Sequence, residues 1–411
     1  MMATLSYIGN FTNSQMNVSN FKEYLATTMD VSDISTWDTN KLEPTSMSPP
    51  SSLRLFSEEY AKVHGYISVC VCAFGILANI ANIVILTRKN MVSSTNVILT
   101  WLAVADLFTM LDYFPFAMHF YILKDPDLLF LHTRGYGWMV YLLFHANFSI
   151  VCHTVAIWLT IVLATFRFIY IWFPAKGGTY CTVQRAMHIS SICVVTTVCL
   201  CIPNFVINNM TPYRINMDNS SSNQTDPDIV YTVQYRSGDV FDVIDKMNKM
   251  IQAIIFKIIP CCLLTILTVL LITAMHKAYK KRMALKNQGK RKESDKHGEN
   301  NRTTGMLLAV VVLFLVTELP QGILTILALV METFFMDVYM PLGDLLDIMA
   351  LCNNAINFVL YCSMSRQFRE TFIKVFCRCY PTSGPGWMKM KVVRATENGG
   401  STVLEHSQTH V

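Results

Sequence analysis

Residues 314–330, "FLVTELPQGILTILALV", are almost entirely apolar and decide the class of fold. A helix needs about 20 such residues to cross the hydrocarbon core of a bilayer. Two residues interrupt the run: Glu318 and, two positions later, Pro320. An ionisable residue inside a membrane span is costly and usually faces the interior of a helix bundle. We therefore expect Glu318 to have a functional role inside a bundle, and Pro320 to bend the helix.

Further apolar blocks of this kind run along the whole chain of 411 residues. Only 15% of the residues are charged and 52% are hydrophobic, whereas soluble domains average about 25% charged residues. We predict an all-α membrane protein, a seven-transmembrane helix bundle within residues 61–364. The spans are predicted at about residues 65–87, 95–120, 138–171, 186–207, 250–276, 303–331 and 343–364.

The segments outside these spans are polar. Residues 1–60 lack apolar periodicity and are predicted to be a disordered, glycosylated arm. Residues 207–249 are predicted to form a long polar outer loop. Residues 365–380 alternate apolar and basic side chains, which is typical of an amphipathic helix on the inner leaflet, called helix 8 below. Residues 381–411 are predicted to be a cytoplasmic tail.

The distribution of charge predicts the orientation of the chain in the plasma membrane. The segment 276–302 between the fifth and sixth spans is rich in lysine and arginine, whereas the segment before the first span is acidic. Short basic loops stay in the cytoplasm, so the N-terminus is predicted to be extracellular. Five glycosylation sequons fall on the predicted outer side. The one at Asn209 lies close to the membrane, so glycosylation is predicted at Asn10, Asn17, Asn219 and Asn223. The basic segment lies between two spans, which indicates contact with anionic lipid or a cytoplasmic partner rather than nucleic acid.

The positions of the cysteines and the absence of catalytic motifs limit the disulfides, modifications and activities that we expect. No cysteine lies in a clearly extracellular segment, so no extracellular disulfide is predicted. Cys377 and Cys379 follow helix 8 and are candidate palmitoylation sites, although they could also be ordinary cytosolic thiols. No convincing metal-ligand spacing, P-loop or nucleophile motif is present, so we predict no metal, no cofactor and no enzymatic activity.

Polar residues inside the predicted spans leave several functions open. Asp106, Lys257 and Glu318 are ionisable, and each could either bind helices together or serve a function. Seven spans fit a receptor, a transporter or channel, or a membrane enzyme.

Several of these residues resemble the motifs of rhodopsin-like G-protein-coupled receptors, over about residues 60–380. Asn79, Asp106 in "LAVADL" and Arg167 match the motifs of spans one to three. The resemblance implies that the activation switches are Asp106, Ile157, Arg167, Pro260, Phe314, Pro320, Asn357 and Tyr361. It also implies a heterotrimeric G protein as partner.

The departures from that pattern indicate a subgroup. Phe166 replaces the acidic residue before Arg167, Glu318 replaces an aromatic residue, and Phe358 replaces the proline of the seventh span. Together with "TELPQG", these departures resemble invertebrate receptors for short amidated peptides, namely the myosuppressin, FMRFamide and sex-peptide (myoinhibitory peptide) receptors. The alternatives are a receptor for another ligand class and, less favoured, a transporter or channel.

The resemblance implies an amidated peptide that often ends in Arg-Phe-amide, and arginine requires a carboxylate. We expect Asp344 and Asp347 to bind that arginine, unless they only stabilise the start of the seventh span. The other predicted ligand contacts are Asp112, His119, Phe148, Ser149, Lys257, Glu318 and Gln321. Lys257 is also a candidate ion-pair partner of Glu318, which could instead be protonated and hydrogen-bonded within the bundle.

The tail carries the remaining predictions about partners. The resemblance favours a G protein of the Gi/o class, and it implies a kinase and arrestin acting on the cytoplasmic tail. The terminus Thr409, His410 and Val411 fits a ligand of PDZ domains, in which a strand adds to the edge of a sheet.

Overall fold

A computed structural model of the protein describes residues 52–123, 135–215, 228–236, 238–288 and 291–376. Several predicted sites lie outside these residues: the sequons Asn10, Asn17, Asn219 and Asn223, the cysteines Cys377 and Cys379, and the terminus Thr409, His410 and Val411.

Seven helices in the described residues are long and apolar enough to cross a membrane, which confirms the predicted helical bundle. In chain order these spans are Ser52–Leu86, Ser94–Ile122, Tyr136–Trp172, Val183–Ile207, Asp239–Lys281, Leu307–Ala328 and Gly343–Met364. The third span lies at the centre, because 72% of its most apolar stretch is buried, compared with 22% for the peripheral fourth span.

The helices around three of these spans begin earlier than hydropathy predicts. The first helix begins at Ser52, the fifth at Asp239 and the helix of the sixth span at Arg291. Hydropathy marks only the part of a helix that contacts hydrocarbon, and a polar helix can continue beyond it. In the fifth helix such an extension carries an ion pair one turn apart, Lys249 Nζ to Asp245 Oδ2 at 2.6 Å.

A β-hairpin lies where only a polar loop was predicted. Strand β1 (Asn208–Ile215) pairs with strand β2 (Asp228–Tyr235) in an antiparallel sheet. The ring of Tyr231 lies 5.2 Å from the ring of Tyr136, so the hairpin packs against the end of the third span that is predicted to be extracellular. The ends of the spans on this side are called outer ends below, and those on the opposite side inner ends. The signal was present in "VYTVQY", residues 230–235, because β-branched and aromatic residues favour strands.

Helix 8, observed as Arg366–Phe376, packs against Phe358, the residue that replaces the proline expected in the seventh span. The ring of Phe358 packs against Phe368 at 6.0 Å and against Phe372 at 5.8 Å. Tyr361 also contacts Phe368, with ring centroids 5.5 Å apart. These four aromatic rings attach helix 8 to the inner end of the seventh span.

Gly65 allows the first span to approach the end of the second span. The helix of the second span ends in a π turn, Met118–Ile122, and a Cβ atom added at Gly65 would lie 2.5 Å from the Cβ of Tyr121. Real Cβ atoms do not approach other atoms so closely, so any larger residue at this position must displace the π turn.

The substitution Gly65→Ala is therefore expected to lower the stability of the bundle by about 1–3 kcal/mol, the usual cost of overpacking. Gly137→Ala on the third span is the matched control, since no atom of the described residues lies within 4 Å of its added Cβ. The control should be neutral or gain up to about 1 kcal/mol from helix propensity. Thermal unfolding of the purified protein in detergent measures both variants, and equal midpoints would contradict the packing at Gly65.

Candidate functional site

Two aspartates at the start of the seventh span are held by tyrosines of the second span. The hydroxyl of Tyr121 donates to Asp344 Oδ1 at 2.7 Å, and that of Tyr113 donates to Asp347 Oδ2 at 3.4 Å. His64 Nε2 of the first span lies 3.0 Å from the same Tyr113 hydroxyl. This network joins the first, second and seventh spans at their outer ends. Asp344 and Asp347, together with Asp112 of the second span, are called the outer acid cluster below.

Asp112, the third member of this cluster, is bound to residues of the third span. Asp112 Oδ2 lies 2.7 Å from His145 Nδ1 and accepts a hydrogen bond of 2.9 Å from Ser149 Oγ. The Tyr141 hydroxyl donates to the main-chain carbonyl of Asp112. Asp112 and Ser149, both predicted to contact a ligand, therefore contact each other. Asp112 Oδ1 and His145 Nε2 have no hydrogen-bond partner among the described residues.

Two other predicted contact residues lie in aromatic groups. His119 stacks on Trp138 with ring centroids 3.5 Å apart, at the outer ends of the second and third spans. Phe148 instead packs against Phe144 and Phe108, which are 46% and 49% exposed. The structure thus places Phe148 beside residues on the surface of the bundle and does not bring it to the outer acid cluster.

A second polar cluster lies in the middle of the bundle and contains Glu318. Lys257 Nζ lies 3.1 Å from Glu318 Oε2 and donates a 2.8 Å hydrogen bond to Gln321 Oε1. His153 Nε2 lies 3.1 Å from the Glu318 carboxylate and 3.1 Å from Lys257 Nζ. The side chains of Glu318 and Lys257 are only 2% and 12% exposed. His153, Lys257, Glu318 and Gln321 form the buried ion cluster, which joins the third, fifth and sixth spans.

The geometry of His153 allows two hydrogen-bond arrangements. A neutral imidazole nitrogen either donates or accepts a hydrogen bond, and it cannot do both. His153 Nε2 can therefore donate to Glu318, or accept from Lys257, but it cannot satisfy both residues at once. The sequence alone did not identify His153 as a partner of Glu318, because the rotation of the third span about its axis cannot be read from one sequence.

Helix irregularities position both polar clusters. The described residues contain three π turns, Met118–Ile122, Ile254–Ile258 and Phe335–Tyr339. They carry His119 and Tyr121, Lys257, and Tyr339, respectively. Such turns are rare and frequently mark functional sites. Hydropathy and spacing gave no sign of them.

The connector before the seventh span reaches the buried ion cluster through Tyr339. Burial raises the pKa of Tyr339 to about 12, and the nearby side chains of Thr325 and Gln321 lessen that rise. The hydroxyl therefore stays protonated at physiological pH. Gln321 also accepts from Lys257, so the side chains of Tyr339 and Lys257 both lie beside Gln321.

The predicted switch residues of the inner half lie in the core. Asn357 Nδ2 donates to Asp106 Oδ2 at 3.0 Å, and Asn79 Nδ2 donates to the Asn354 carbonyl at 3.1 Å. These bonds join the first, second and seventh spans. Of the remaining switch residues, Ile157, Pro260, Phe314 and Tyr361 are buried and Pro320 is exposed.

Arg167, at the inner end of the third span, has no ion pair within the described part of the chain. Its Nε atom is buried without a hydrogen-bond partner, and the preceding Phe166 is buried. Among the described residues, packing rather than an acidic neighbour surrounds this guanidinium.

Within the described residues, no group of three histidines, cysteines or acidic residues could hold a metal ion. Each described cysteine is free.

Comparison with known proteins identifies the family. The family model described as "Serpentine type 7TM GPCR chemoreceptor Srw" matches residues 66–379, which is most of the chain. The chain belongs to this family. The receptor is 31% identical over 371 residues to the Caenorhabditis elegans G-protein coupled receptor dmsr-1, covering 79% of this chain and 71% of that protein.

Two Drosophila melanogaster proteins are also similar to the receptor. The sex peptide receptor is 27% identical, covering 84% of this chain and 80% of its own length. The FMRFamide receptor is 25% identical, covering 76% of this chain and 54% of its own length. The receptor is therefore a multi-pass plasma-membrane protein of the G-protein-coupled class and is not an enzyme.

A double-mutant cycle tests the ion pair inside this receptor. Glu318→Gln or Lys257→Met alone leaves a buried charge without its partner, which costs about 3–5 kcal/mol. The double variant should lose less than the sum of the two single losses, with a coupling energy above about 1 kcal/mol. Thermal unfolding of purified protein measures stability, and basal signalling is recorded in parallel.

The control cycle combines Glu318→Gln with Asp112→Asn, because Asp112 belongs to the outer acid cluster and shares no partner with Glu318. The control substitutions should be additive. Additive effects for Glu318 and Lys257 as well would contradict an energetic coupling between them.

Proposed function

We propose that the receptor responds to a short amidated peptide whose arginine binds the outer acid cluster. The observation that carries this proposal is the position of Asp344. Its carboxylate lies at the outer end of the bundle, accepts from Tyr121, and has no ion pair with a lysine or arginine in the described part of the chain. An arginine can bind such a carboxylate in a bidentate manner.

The names of the similar receptors support a peptide as the ligand, since one is a sex peptide receptor and another an FMRFamide receptor. Ser149 stands where amine receptors carry an aspartate, and here its hydroxyl donates to Asp112. A small amine would therefore lack its usual carboxylate on the third span.

Peptide binding opens the inner side of the bundle through the buried ion cluster. An arginine bound at Asp344 competes with Tyr121, which is fixed against Gly65 of the first span. The connector carrying Tyr339 then shifts relative to Gln321 and weakens the ties among the third, fifth and sixth spans. The sixth span, bent at Pro320, moves outward and exposes Arg167 to a G protein of the Gi/o class.

The orientation and modifications proposed for the receptor follow from its sequence. An extracellular N-terminus agrees with the basic segment 276–302 on the opposite side. Glycosylation at Asn10, Asn17, Asn219 and Asn223 and palmitoylation at Cys377 and Cys379 remain predictions, as do binding of a PDZ domain at the C-terminus and of arrestin at the tail.

A panel of amidated peptides, beginning with Phe-Met-Arg-Phe-amide, tests this function in cells expressing the receptor, with calcium and cAMP as readouts. For the active peptide, Asp344→Asn should reduce potency by about 10- to 100-fold, the value of a charge-assisted hydrogen bond. An analogue with citrulline in place of arginine should lose little further potency on this variant.

Asp337→Asn is the control, because Asp337 is an exposed acid of the outer connector that pairs with Arg54 outside the outer acid cluster. It should leave the difference between arginine and citrulline peptides unchanged. Equal losses for both peptides on Asp344→Asn would contradict the arginine contact. Substrate flux or ionic current without any peptide response would contradict the receptor function.

A further inference from the structure

A third polar cluster consists entirely of amide side chains and lies at the outer ends of the fourth and fifth spans. Asn204, Asn248 and Gln252 are 4%, 5% and 5% exposed. Asn204 Oδ1 accepts hydrogen bonds from Asn248 Nδ2 and from Gln252 Nε2, both at 2.6 Å. These three residues are called the amide cluster.

Two polar atoms of the amide cluster remain without a partner. Asn204 Nδ2 and Asn248 Oδ1 are buried and form no hydrogen bond with any described residue. Buried polar atoms are nearly always hydrogen-bonded in folded proteins, so each exception requires an explanation. One of these atoms is a donor and the other is an acceptor.

This pairing does not depend on how the amide groups are oriented. Reversing the oxygen and nitrogen of all three side chains preserves both internal hydrogen bonds, with Asn204 then donating to its two neighbours. The atoms left over are then Asn204 Oδ1 and Asn248 Nδ2, again one acceptor and one donor. A single group that satisfies both atoms must itself contain a donor and an acceptor.

Two neighbours of the amide cluster along its helices are apolar. Cys201 precedes Asn204 by three residues and Phe256 follows Gln252 by four, so each lies about one helical turn away. Both are buried in one small cluster with Ile150 of the third span. The protein thus offers apolar residues beside one free donor and one free acceptor. A ligand that complements them is an aromatic residue that ends in a carboxamide.

We infer that the amide cluster binds the C-terminal carboxamide of the peptide ligand. The carboxamide oxygen accepts from one free cluster atom, and its NH2 group donates to the other. A free carboxylate has no donor, so it would leave the acceptor of the cluster unpaired and opposite a negative charge. This inference rests on the proposed peptide-receptor function and assigns the end of the peptide that the outer acid cluster does not bind.

Access to the two free atoms requires the outer ends of the fourth and fifth spans to separate, because both atoms are buried. The fourth span is the least buried of the seven within the protein, so fewer protein contacts cover it than cover any other span. Asn208, the first residue of β1, donates to the Asn204 carbonyl at 2.9 Å, so the hairpin is attached where the opening begins.

The first test compares a peptide amide with its free acid on the receptor in cells. Wild-type receptor should prefer Phe-Met-Arg-Phe-amide, or the active amide from the panel, by at least about tenfold, as expected for an unpaired buried acceptor. Asn248→Leu should reduce this preference to below about threefold, because it lowers the potency of the peptide amide and leaves that of the free acid unchanged. Ser190→Ala, which removes another buried, unpartnered polar atom from the inner end of the fourth span, should preserve the preference. A preference unchanged in a well-expressed Asn248→Leu receptor would overturn the inference.

The second test needs no variant and no active peptide. N-acetyl-phenylalaninamide at millimolar concentration should raise the unfolding temperature of the purified full-length receptor, and N-acetyl-phenylalanine should not. Equal shifts for both fragments, or a shift for neither, would overturn the amide site. If no peptide activates the receptor but only the amide fragment stabilises it, the proposed function fails while the amide site stands. If a peptide activates the receptor equally well as an amide and as a free acid, the proposed function stands while the amide site fails.

Discussion

The ion pair between Lys257 and Glu318 is the interaction on which the arrangement of the bundle depends. Both charges lie among apolar helices, where neither is stable without the other. The pair therefore connects the fifth span to the sixth, and His153 connects both to the third span. Gly322 permits this close packing, since a Cβ atom there would lie 3.0 Å from Cys261 Sγ.

The buried ion cluster also lies one helical turn toward the outer side from three packing residues of the bundle core, Ile157, Pro260 and Phe314. His153 precedes Ile157 by four residues, Lys257 precedes Pro260 by three, and Glu318 follows Phe314 by four. Residues at these spacings share a helix face. The charged layer and the apolar layer thus belong to the same three helices, one turn apart. A ligand that moves these helices at the charged layer therefore acts within one helical turn of the packing residues.

The sequence predicted features that depend on a single helix, or on two residues lying at the same depth in the membrane. The seven spans follow from hydropathy, and the partnership of Glu318 with Lys257 follows from their distances to Pro320 and Pro260. It did not predict what depends on the rotation of helices or on irregular backbone. His153, the bond between Asp112 and Ser149, and the surface position of Phe148 all depend on how the spans turn about their axes. The π turns and the β-hairpin depend on backbone hydrogen bonds that hydropathy does not report.

The most direct test of the restraint is the distance between spin labels at the inner ends of the second and sixth spans, measured by electron spin resonance without ligand. A restraint by the buried ion cluster predicts one short distance in the wild-type receptor. In Glu318→Gln, a population at longer distances should appear, because the sixth span is released. Identical distance distributions in the two proteins would contradict the role of this ion pair in holding the receptor at rest.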